Sequence, residues 1–163
     1  MTTKADYTEQ EWELLLRAPV LAGSYIMIAD LSVTALGKEM KGMYEAMVSS
    51  VAPIEAEDLI TALVADIKAR AENKEKLPEL ETADDADPQA QVLEQLGQAL
   101  AILEEKAPHE KEGFSVWLMG VAQATAEAGK EGGFLGIGAV RVSDKEKAAL
   151  EELRRYFGLN PAL

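Results

Sequence analysis

The sequence predicts an all-α protein, a compact single-domain bundle of about seven helices spanning residues 1–163. Three observations carry that prediction. Apolar residues recur at three- and four-residue spacing along most of the chain, as in Trp12, Leu15 and Leu16, or Val92, Leu96, Leu100 and Leu103. Helix-start signals are frequent, with two Ser/Thr-x-x-Glu capping boxes and an Asp-Pro pair. Strand-like alternation is confined to "GAVRV" at 138–142, and a lone short strand makes no sheet.

The elements follow in order. Thr8 and Glu11 form the first capping box, opening a helix whose buried stripe is Trp12, Leu15 and Leu16. Pro19 has no N–H to give Leu15, so this helix is expected to end or kink near Ala18. A second helix then starts with Pro19 in its first turn and runs to about Leu31. After Gly37, Met40, Met43, Met47 and Val51 recur at helical spacing until Pro53 breaks the run. From Glu55 a long amphipathic helix carries Leu59, Leu63 and Ile67. Residues 74–87, "KEKLPELETADDAD", read as a solvated acidic connection. Asp87 caps and Pro88 begins the helix bearing Val92 to Leu103. Pro108 opens another, with Phe114, Trp117, Leu118 and Val121 on its apolar side. Ser143 and Glu146 box the start of the last helix, which stops at Gly158 in a left-handed turn.

Composition removes several function classes. Net charge is −13, divided as −3 over residues 1–52, −7 over 53–87 and −3 over 88–163. A field of that sign repels phosphate backbones, which argues against nucleic acid and for cations or basic partners. There is no cysteine, so disulfides, thiol nucleophiles and thiolate metal sites are excluded together. The opening "MTTKADYTEQEWELLL" is acidic, unlike a signal peptide. The most apolar window, "PVLAGSYIMIADLSVTALG", contains Asp30 and falls short of the ~20 apolar residues of a membrane span. A cytoplasmic protein without membrane insertion is the expectation.

The chemistry-bearing candidates are few. The stretch "KEGGFLGIGAVRVSDKEKAALEEL" at 130–153 is glycine-rich, but a phosphate cradle normally sits between a strand and a helix start. Here a helix precedes it, a Walker lysine-serine pair is missing, and Gly136-Ile137-Gly138 lacks the third glycine of a dinucleotide fingerprint. A folded corner packed down by Phe134, Leu135, Ile137 and Val140 is the simpler reading. The alternative is a phosphate-bearing small molecule at loop 129–143, with Lys130, Arg141 and Lys145 as counter-charges. The sole histidine, His109, is expected in solvent, which disfavours a Ser-His-Asp triad and a di-iron bundle. Asp84, Asp85 and Asp87 lack the glycine and closing glutamate of a calcium loop. The methionines read as core filler, or else as a docking stripe in a larger assembly, as does the tail "GLNPAL".

Acids beside helix ends are the second candidate. Asp30 follows an apolar run, where an ionised carboxylate is costly unless paired or bound to a cation. Glu39, folding back across the Gly37 turn, would bring a second carboxylate to it, and the same logic joins Glu127 to Glu146. Oxygen ligands of this kind select Ca2+ or Mg2+ over zinc. A plainer account pairs Asp30 with Arg17, Lys38 or Lys41 and leaves Glu146 in its cap.

A faint internal echo links these acids. "LAGSYIMIAD" (Leu21–Asp30) aligns without gaps to "LMGVAQATAE" (Leu118–Glu127), sharing leucine, glycine and alanine and closing on an acid. Each segment precedes a glycine-containing connection and a helix bearing Glu39 or Glu146. In this the chain resembles the tellurite-resistance TerB-like proteins, most of all in "RVSDKEKAALEELRRYFGL". The resemblance implies two TerB-like helical halves, divalent-cation binding at Asp30, Glu39, Glu127 and Glu146, and a stress-response setting without catalysis. The family's acid is usually followed by glycine, whereas Leu31 and Ala128 stand here, and the second connection is longer. The functional expectation is a non-enzymatic acidic helical protein that works through a protein partner or its own oligomer, with weak Ca2+ or Mg2+ binding.

Overall fold

A computed structural model describes residues 2–31, 36–77, 83, 85–129 and 142–160. Among the described residues there are six α-helices and no strand: α1 (Glu9–Ala29), α2 (Leu36–Ser49), α3 (Glu57–Glu72), α4 (Pro88–Lys106), α5 (Lys111–Ala128) and α6 (Asp144–Tyr156). Short 3-10 turns at Lys4–Asp6 and Ile54–Ala56 precede α1 and α3. The all-helical bundle is therefore as expected. The "GAVRV" segment, except Val142, lies outside the described residues.

The count differs from about seven because α1 continues through Pro19 without ending there. An interior proline removes one hydrogen bond and costs roughly 3 kcal/mol in an isolated helix. α1 buries residues on several sides, from Trp12 through Leu15, Leu16, Leu21 and Tyr25 to Ile26. Burying one such large apolar side chain contributes about 1.5–3 kcal/mol, so several together outweigh the proline. Continuity also makes α1 a 21-residue helix, long and apolar enough to cross a membrane, where the sequence window suggested otherwise. Over half of its apolar 18-residue window, 56%, is buried inside the protein.

α1 is the central helix, packed along both α4 and α5, while α2 lies along α5 and α6 closes against α1 and α5. Buried apolar residues from all six helices form one cluster. Helix starts fall where local capping predicts. Thr8 Oγ1 accepts from Glu11 N at 3.2 Å while Glu11 accepts from Thr8 N at 2.7 Å. Asp87 Oδ1 accepts from Gln89 N at 3.0 Å, with Pro88 in the first turn. α5 starts three residues later than Pro108, because 108–110 form a turn that sets Glu110 inward. At the far end Gly158 takes φ +67°, and the N–H groups of Gly158 and Leu159 donate to Arg155 and Arg154 at 3.0 Å each. Leu159, from the tail considered for docking, packs on the core.

The charged connection is described only at 74–77, 83 and 85–87, where it forms neither helix nor strand. His109 lies in solvent, its side chain 74% exposed.

Candidate functional site

The predicted acids converge in part. On α2 the buried line is Glu39, Met43 and Met47, each four residues from the next. Met40 and Val51, expected on the same stripe, are exposed, Val51 because α2 has already ended at Ser49. A carboxylate thus occupies the register position of a core residue. Small residues let α2 lie that close to its neighbours. A Cβ added to Gly42 would stand 2.3 Å from Ala128 Cβ, and one on Gly23 of α1 would stand 2.2 Å from Met43 Sδ. At Gly129 the added Cβ would meet Glu39 Oε1 at 2.8 Å, so the end of α5 leaves room for the carboxylate.

Glu39 is 3% exposed. Burial, then the negative charges of Glu146 and Asp30, push its carboxyl above the usual range. Asp30 is half-buried at the C-terminal end of α1, and Glu39 is in the first turn of α2. Glu146 arrives from α6, 7% exposed, held by its capping box: its Oε2 accepts from Ser143 N at 2.7 Å. Asp30, Glu39 and Glu146 therefore share one corner of the bundle. Glu127 does not join them. It is exposed on the last turn of α5 and accepts from Gln123 Nε2 at 2.8 Å. Glu146 acts on Glu39 where a partnership with Glu127 was expected. Among the described residues no three Asp, Glu or His side chains stand close enough to hold a metal ion.

The glycine-rich loop, with Lys130 and Arg141, lies at 130–141, outside the described residues. Asp84 also lies outside them.

Two groups escaped sequence reasoning. Glu110, 2% exposed, accepts from Leu59 N at 3.1 Å and from the Thr2 hydroxyl. It supplies from a distance the cap that α3 lacks, since Ala56 at the N-cap has no side-chain acceptor. The missing local cap in "PIEAEDL" was the available signal. Beside it Tyr7 is buried and its phenol is pushed up to about 12, by burial first and then by Glu110, Asp6 and Glu11. The second group is Asp66, which accepts from Trp12 Nε1 and Lys4 Nζ at 2.8 Å each and from Arg70 Nε at 3.0 Å. Arg70 also binds Glu13, tying α3 to α1. This network ties the N-terminal turn, α1 and α3 together.

Comparison with protein-family models, with curated proteins and with solved structures gave no match.

Proposed function

We propose that the chain is a non-enzymatic, cytoplasmic helical protein that works through protein contacts, with an acid-lined corner that responds to neutralisation by a divalent cation. The TerB-like stress-response setting belongs to this proposal. So does the two-half reading.

One observation carries it: Glu39 sits at a core register position, beside Asp30 and Glu146, with its carboxyl raised by all three influences. Like charges held together in a partly dry corner are relieved by a proton or by a hard cation, and oxygen donors favour Ca2+ or Mg2+. A closing movement of Asp30 and Glu146 onto an ion at Glu39 would complete the coordination. Glu127, predicted as a fourth ligand, would take part only from the outer edge.

Calorimetric titration of the whole chain with calcium, magnesium and manganese tests the reading. Binding heats are expected for the natural chain and their loss in Glu39→Gln. Heats absent throughout, or unchanged in Glu39→Gln and Asp30→Ala, would remove the cation from the proposal.

A further inference from the structure

α3 has a second face beside the one it buries. Leu59, Leu63 and Ile67 pack in the core. Glu57, Thr61, Val64 and Lys68 follow one another at spacings of four, three and four residues, which sets them along one side of the helix as a largely polar seam with Val64 half-buried against the core. This seam forms one side of a groove of about 370 Å³, and the 50–52 segment after α2 forms the other. Val51 in that segment is 93% exposed, and Ile54 just beyond is 86% exposed. Val51 thus stands at the rim of an apolar groove, with Ile54 exposed just beyond it.

Charge indicates what fits there. The chain carries −13 overall, so two copies repel across most of their surface. The seam is different: it has one acid, Glu57, at its start and one base, Lys68, near its end. Neither makes an ion pair among the described residues. Laid against a reversed copy of itself, the seam sets Glu57 against Lys68 at both ends and Thr61 against Val64 between them. Laid parallel, it sets like charge against like. An isologous two-fold contact is the arrangement its chemistry matches.

We propose that this face joins two copies of the chain, α3 antiparallel to α3, with Val51 of each copy covering the groove of the other. The inference rests on the reading of the chain as one that works through contacts, and it is independent of the acid corner.

Sedimentation equilibrium on the full chain over a range of concentrations tests it. The natural chain is expected to form dimers in a concentration-dependent way. Glu57→Lys and Lys68→Glu should each weaken the dimer about tenfold, since each replaces two attractive pairs with two repulsive ones. An equimolar mixture of the two variants should restore association, because every pair across the contact is then of opposite sign. That rescue also separates a lost contact from a misfolded variant. A natural chain that stays monomeric, single variants that associate unchanged, or a mixture no tighter than its components would each overturn the pairing. A monomeric chain that still gives cation heats would do so while leaving the broader reading in place.

Discussion

Glu39 and Glu110 are both carboxylates with almost no exposed surface, and their surroundings give them opposite effects. Glu110 answers a backbone donor that has no other acceptor: Leu59 N, at the uncapped start of α3. Removing the acceptor leaves a buried N–H unsatisfied, and hydrogen bonds to a charged group contribute about 1.5–3 kcal/mol. Glu110→Ala should therefore lower unfolding stability by about 2 kcal/mol, read from the urea midpoint at constant slope, and Glu110→Gln by less because its amide oxygen still accepts. Among the described residues Glu39 answers no backbone donor. Burial and two like charges disfavour its ionised form, so folding is opposed by that charge above the ordinary glutamate value of 4.5. Glu39→Gln keeps the shape and drops the charge. It should raise stability at neutral pH, and a lower midpoint would mean that an unseen partner compensates Glu39.

At the scale of elements, close helix contacts are set by where glycine stands. Glycine to alanine on a helix is ordinarily worth up to ~1 kcal/mol in favour of alanine. At Gly120 a new Cβ meets nothing within 4 Å, so Gly120→Ala should stabilise by about 0.5–1 kcal/mol. At Gly42 it would lie 2.3 Å from Ala128 Cβ, an atom that cannot swing away without moving the α5 backbone. Overpacking of that kind costs about 1–3 kcal/mol, which exceeds the propensity gain. Gly42→Ala should thus lower the melting temperature while Gly120→Ala raises it. The pair also bears on the echo between Leu21–Asp30 and Leu118–Glu127, in which Gly23 and Gly120 align. Gly23 is buried beneath Met43 and Thr125, whereas Gly120 faces solvent, so the aligned glycines do different work. What could be read from the sequence was local. The boxes at Thr8 and Ser143 and the cap at Asp87 each involve residues within three positions of one another, and all three helices begin there. The continuity of α1 through Pro19 could not be read, because it depends on burial against α4 and α5. Likewise, Asp30 and Glu39 could be joined across a short connection, but Glu146 reaches Glu39 only through the docking of α6. Glu110 was missed since its partner is fifty-one residues away.

For the whole molecule, these buried charges set the shape of stability against pH. Glu39 binds protons more readily in the folded state, so its unfavourable contribution is absent below 4.5 and grows as pH rises through its raised folded value. Asp66 has the opposite sign. Burial acts to raise it, but the hydrogen bonds from Lys4, Trp12 and Arg70 outweigh that and hold it below its ordinary 3.8. Its contribution is present above 3.8 and is lost as pH falls through its lowered folded value. Net charge works in the same direction as Glu39, since protonation of surface acids reduces the self-repulsion of a −13 chain. Melting temperature should then peak in mildly acidic solution, between these two limbs, and decline toward neutrality. Scans from about pH 3 to about pH 8 would show it. Glu39→Gln should flatten the neutral limb and leave the acid limb in place, while Asp66→Asn should do the reverse. A melting temperature that climbs steadily from mildly acidic to neutral pH in the natural chain would mean that Glu39 ionises in the folded protein without penalty, and would overturn the raised carboxyl assigned to the buried line of α2.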